Sequence, residues 1–196
     1  MVYYPPMQKR GTILVKYFHA WLRRTIEEPW TTLEPFFVGE VPKGLGTPEY
    51  YCVVTQDEEP YLLVNAYTHD IDVCIWKQWL VLRSPGEVSF ISLDADQRQI
   101  INKPSWGFFH HLYPTDEYLF VTTNERVCCY DQEARLVWES EELSQDTISI
   151  SSVQGDIISI SQAPIGGSFS GPAEFILDGR SGKLISMQYK PPQNNS

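Results

Sequence analysis

The sequence predicts an all-β protein of mainly antiparallel, repeated meanders, preceded by one N-terminal α-helix. Three observations lead there. Beyond Tyr50 the chain breaks into short runs rich in Val, Ile, Tyr, Phe and Thr, separated by turn formers, which is the pattern of strands. Asp94, Asp131 and Asp178 each close such a run, precede a short polar turn and open a second run, at intervals of about 40 residues. Before Pro29, by contrast, Leu14, Phe18, Trp21, Leu22 and Ile26 recur at spacings near three to four, the period of a helix with one apolar face.

In chain order, residues 1–49 are expected to hold the amphipathic helix and a wrapping connection. Thr12 would cap the helix over 12–28 and Pro29 would stop it, although the β-branched opening at Thr12, Ile13 and Val15 equally suits a strand. Pro29, Pro35, Pro42 and Pro48 with Gly39, Gly44 and Gly46 then mark an ordered connection, anchored by Trp30, Phe36 and Phe37. Residues 50–190 form the β body, with strands expected at 50–55, 61–67, 71–76, 79–83, 88–93, 98–101, 118–122, 126–130, 136–139, 147–153, 156–161, 174–177 and 183–187. Only the stretch around Trp106 to His111 leaves room for a further helix. Residues 164–171, with Gly166, Gly167 and Gly171, look like an insertion between strands, and 191–196 are expected to be a disordered tail.

The repeat has a simple physical basis, because an Asp at a strand end accepts hydrogen bonds from turn amides and starts a tight reversal. Residues 127–138, where a strand ends in Asp131 and the next carries Leu136 and Val137 before Trp138, resemble the blade repeat of quinoprotein-like (PQQ-type) β-propellers. Residues 175–185, with Asp178, Gly182, Lys183 and Leu184, look like a second copy, and 88–101 a looser third. The chain is also similar, over 138–143 and 147–158, to small uncharacterised bacterial proteins with such repeats. The resemblance implies a propeller-like fold in which 50–67 supplies a degenerate fourth blade, or else an open stack of sheets. Enzymes of that family hold a quinone, a metal and a catalytic acid in a central channel; none of those residues maps onto this sequence, so no cofactor is expected.

Charge narrows the partner classes. With 15 Lys and Arg against 25 Asp and Glu, the net of −10 makes the averaged field repulsive to phosphates, which argues against nucleic acid. Residues 1–28 run the other way, with Lys9, Arg10, Lys16, Arg23 and Arg24 against Glu27 and Glu28, so the remaining body is more acidic than the whole. Such a basic arm suits contact with its own body or with a second copy, which makes a homodimer one expectation. No apolar run approaches the roughly 18 residues a membrane helix needs, and no secretory signal pattern opens the chain, so a cytoplasmic protein with no membrane partner is expected. Cys52, Cys74, Cys128 and Cys129 lack metal-site spacing and read as buried free thiols.

No nucleophile elbow, phosphate loop or spaced acid/base pair is present. The expected function is therefore non-enzymatic binding of a basic protein partner, one version being a bacterial immunity-type inhibitor that masks a basic toxin. Contact candidates are the aromatic segment with Trp106, Phe108, Phe109 and His110, and the acidic group Glu139, Glu141 and Glu142. The alternative is a metal-dependent hydrolase or small-ligand binder. Asp70 and Asp72 share one face of an extended segment beside His69, and His110 or His111 would complete the ligand set.

Overall fold

Short β-rich runs cannot satisfy their backbone groups alone, and here they do so four at a time. The structure, a computed structural model, describes residues 17–104, 109–144, 147–162 and 173–189. The first sheet contains β1 (Phe18–Arg23), β2 (Phe36–Gly39), β3 (Tyr50–Gln56) and β4 (Glu59–Tyr67) in the order β1-β3-β4-β2. The second is the meander β5 (Asp72–Trp76), β6 (Trp79–Ser84), β7 (Glu87–Ser92) and β8 (Ile100–Pro104). The third runs β9 (Phe109–Pro114), β10 (Leu119–Thr123), β11 (Val127–Tyr130) and β12 (Leu136–Glu139), and the fourth β13 (Ile148–Gln154), β14 (Ile157–Gln162), β15 (Ala173–Asp178) and β16 (Leu184–Tyr189). Every pairing is antiparallel except β2 with β4.

The helix expected over 12–28 is not present. Residues 18–23 form β1, in register with β3 from Phe18 opposite Gln56 to Arg23 opposite Tyr51; residues 12–16 lie outside the described residues. The same apolar residues satisfy two periods, since Phe18, Ala20 and Leu22 also alternate. Pairing with β3 selects period two, turning those three toward the second sheet and leaving Trp21 on the opposite face, 46% exposed. Among the described residues there is no α-helix, only single 3-10 turns at Trp30–Thr32 and Ala95–Gln97. Because β1 and β2 flank β3 and β4, the first sheet spans the boundary expected at residue 49. The tail expected at 191–196 lies outside the described residues.

The four sheets stack face to face. Cys52, Val54, Leu62 and Val64 of the first meet Leu80, Leu82 and Ile91 of the second. On the other side of the second sheet, Val81, Val88 and Phe90 meet Leu119, Val121 and Tyr130 of the third. Phe120, Val127 and Trp138 then meet Ile158, Ile160, Phe175 and Leu177 of the fourth. Burying these side chains supplies the main stabilisation, at about 2 kcal/mol each. Edge strands β1, β5, β9 and β13 pack in succession along one side of the stack, but among the described residues β13 makes no comparable contact with β1 and no closed propeller is found.

The repeated Asp turns do two jobs. Their carboxylates bind turn amides, as expected: Asp94 accepts from the Asp96 N–H at 3.0 Å, Asp131 from Glu133 at 3.0 Å and Arg135 at 2.9 Å, and Asp178 from Ser181 at 2.8 Å. The same turns offer carbonyls to aromatic donors on the preceding sheet. Tyr61 donates to Leu93 O at 2.5 Å, Trp79 to Gln132 O at 2.8 Å and Trp138 to Gly179 O at 3.0 Å. Each interface therefore carries an apolar centre and an aromatic hydrogen bond to the Asp turn, so a single repeat unit both forms a hairpin and locks the neighbouring sheet; between the second and third sheets Trp76 adds another, donating to Thr115 O at 2.8 Å.

The outward faces of the first and fourth sheets differ. Trp30, with Ile26 and Leu33, covers Val53 and Leu63 on the first. On the fourth, register places Ser149, Ser152, Ser159, Ser161 and Ser186 on the outward side, a hydroxyl-rich surface that water can cover. All four cysteines are free, and burial is the first cause that pushes each thiol up to about 12, so they are unreactive at neutral pH.

Candidate functional site

The third sheet ends at β12, whose far side pairs with no strand among the described residues. Its neighbour β11 carries a register shift between Cys129 and Tyr130, which breaks the simple alternation expected along β12. Trp138 turns inward, while Leu136 and Val137 are 49% and 47% exposed. Two consecutive apolar residues facing solvent on an outer strand form a small strip that nothing among the described residues covers. Trp138 fixes the strand against the fourth sheet, with its indole over Gly182, where a Cβ would fall on the ring.

Acidic groups flank the strip. Glu139 lies 3.9 Å from Arg126, and Arg135 bridges Asp131 at 2.8 Å and Glu133 at 3.0 Å. Partial burial works to raise the Asp131 pKa, but the Arg135 N–H and guanidinium and the Glu133 N–H outweigh it and hold the carboxyl below the ordinary range. Glu141 and Glu142, just beyond the strand, are exposed and have no counter-ion among the described residues. Of the three glutamates singled out from the sequence, Glu139 shares β12 with Leu136 and Val137, and Glu141 and Glu142 follow it along the chain. Those two apolar residues were not legible as a surface, because an uninterrupted strand would have buried one of them; the bulge was the missing signal.

The other sequence candidates are dispersed. Trp106 and Phe108 lie outside the described residues, and Phe109 and His110 are placed only as backbone of β9. His69 is exposed between β4 and β5 and lines a cleft of about 550 Å³ with Phe37, Glu40, Tyr67 and Glu87. The Phe37 and Tyr67 rings stack at 6.3 Å on its wall, and among the described residues no Lys or Arg lines it. Asp70 turns to Arg83, whose guanidinium donates to it at 3.0 Å, and Asp72 accepts the Val73 N–H at 2.8 Å. His111 sits on β9 beside a separate pocket between the third and fourth sheets. Among the described residues no three His, Cys, Asp or Glu side chains converge as a metal-binding group.

No family model matches the sequence, and no curated protein matches it. Among solved structures, the chain is similar to the computationally designed Ika4 protein, with 13% identity and a TM-score of 0.47 over 59% of this chain and 69% of that one. Among the described residues no helix is long and apolar enough to cross a membrane.

Proposed function

We propose that this chain is a non-enzymatic binding module for a basic protein partner, engaged at the outer edge of the third sheet. The observation that supports it is the exposed Leu136 and Val137 pair on β12, followed by Glu141 and Glu142, which have no counter-ion among the described residues. Apolar contact area at the centre of an interface supplies affinity, and a charged rim supplies orientation and a faster encounter. The unpaired side of β12 also presents backbone groups that an extended partner segment can join as a further strand. The net charge of −10 extends the attraction beyond the strip at low salt. In its concrete form the partner is a basic toxin, masked in the manner of an immunity protein.

The test is a low-salt capture from native cells, comparing wild type with a Glu139→Lys, Glu141→Lys, Glu142→Lys variant. The expected result is a basic protein held by wild type, released by salt and lost from the variant. Equal recovery by both, or recovery of no basic protein, overturns the proposal.

A further inference from the structure

Two sheets use the basic residue of the Asp turn in different ways. Arg135 stands four residues after Asp131 and Arg98 four residues after Asp94, each shortly before the last strand of its sheet. In the third sheet Arg135 turns back onto the carboxylates of Asp131 and Glu133. In the second sheet Arg98 leaves Asp94 and lies over the Tyr61 ring, its guanidinium carbon 4.4 Å from the ring centre. Tyr61 is itself fixed, donating to Leu93 O at 2.5 Å and packing against Phe18 at 5.2 Å. The cation is thereby held in place by an aromatic face rather than by an anion.

That placement leaves the guanidinium without an acceptor. Among the described residues Arg98 makes no ion pair or side-chain hydrogen bond, and its Nε is buried without a partner. Nη1 and Nη2 are not closed off in this way, so they are the donors left for a ligand. Outside the described residues the sequence holds one acidic side chain, Asp146, two residues before β13 of the fourth sheet, whereas Arg98 faces the first. The missing counter-charge is therefore one that the chain's own Asp and Glu side chains do not provide.

A cavity of about 480 Å³ opens beside this cation, lined by Glu34, Pro35, Phe36, Ala95 and Arg98. Phe36 and Tyr61 belong to the side of the first sheet that packs on the second, and Ala95 and Arg98 to the Asp94 turn of the second, so the space lies between the two sheets. Glu34 and Arg98 share the cavity without forming an ion pair with each other. Opposite charges so placed suit a ligand that carries both, and Pro35, Phe36 and Ala95 add apolar surface. An α-amino acid with an apolar side chain has all three features: a carboxylate that accepts paired hydrogen bonds from a guanidinium, an ammonium for the Glu34 carboxylate, and a hydrocarbon branch. The volume lies within the range of small-ligand pockets.

We propose that this cavity binds a free α-amino acid with an apolar side chain, its carboxylate on Arg98 Nη1 and Nη2 and its ammonium on Glu34. The site is independent of the β12 edge, and the Glu139, Glu141 and Glu142 charge reversals are expected to leave it unchanged. The probes are L-leucine and L-phenylalanine, titrated into the full chain by calorimetry. Isocaproate, which lacks the ammonium, and isoamylamine, which lacks the carboxylate, are the comparators. The expected result is saturable binding of at least one amino acid, with both comparators weaker by about tenfold. Glu34→Gln, at an exposed position with no partner to lose among the described residues, is expected to melt with wild type and to bind the amino acid about tenfold more weakly. The same variant is expected to hold isocaproate at least as well as wild type does. Arg98→Gln is expected to lose both carboxylate ligands. Absence of saturable amino-acid binding below about 10 mM, a comparator as tight as the amino acid, or undiminished amino-acid affinity in Glu34→Gln or in Arg98→Gln each overturns the proposal.

Discussion

At the scale of single residues, the Asp turns and the Trp138 contact carry the sharpest expectations. Gly182 has φ +69, and a Cβ there would fall on the Trp138 ring, so Gly182→Ala meets both backbone strain and a packed indole. It is expected to destabilise by about 3 kcal/mol, read from urea denaturation. Glu133→Ala, whose side chain only bridges an exposed Arg135, is expected to stay within about 0.5 kcal/mol in the same measurement. Asp131→Ala removes the acceptor of two turn amides and is expected to lose about 1 to 2 kcal/mol at pH 7. Because the Asp131 carboxyl is held below its ordinary value, its contribution is complete above about pH 4. It is lost as pH falls through the lowered native value. The stability gap between wild type and Asp131→Ala should therefore be flat from pH 7 down to that region and shrink below it.

At the scale of elements, β1 is the informative case. A helix would group Phe18 with Trp21 and Leu22 on one buried face, whereas the strand separates them. Phe18 packs against Tyr61 at 5.2 Å, while Trp21 stacks on His19 at 5.8 Å on the other face. Phe18→Ala is expected to cost about 2 kcal/mol and Trp21→Ala less than about 1, measured by thermal or urea unfolding. Comparable costs would contradict the strand. The thirteen strands expected after Tyr50 all appear with ends shifted by at most a few residues, because each run is bounded by turn formers with a local reason to reverse the chain. The strands not expected, β1, β2 and β9, share the opposite property. Their sequences are locally ambiguous or interrupted by aromatics, and neighbouring strands decide their conformation.

At the scale of the whole molecule, the sheets form a stack in which each interface joins only adjacent members. Ile91 belongs to the interface of the first and second sheets and Ile160 to that of the third and fourth, with no shared cluster. Ile91→Val and Ile160→Val are each expected to cost about 1 kcal/mol, and together the sum to within about 0.5 kcal/mol, provided unfolding is two-state. A clear departure from additivity would show that the first and last interfaces communicate, as closure of the stack would require.

By itself the sequence determined the β class of the body, the positions of its turns and the repetition of the Asp motif, since these rest on propensity and local hydrogen bonding within a few residues. It also determined the acidity that turns the search for partners toward basic ones. Only the tertiary structure decided that residues 18–23 are a strand, that the four sheets remain an open stack, and that Asp70 is committed to Arg83. The same holds for the Leu136 and Val137 surface and the Arg98 guanidinium held over Tyr61. Each of these depends on which residues from distant parts of the chain meet across an interface, and no local pattern encodes that meeting.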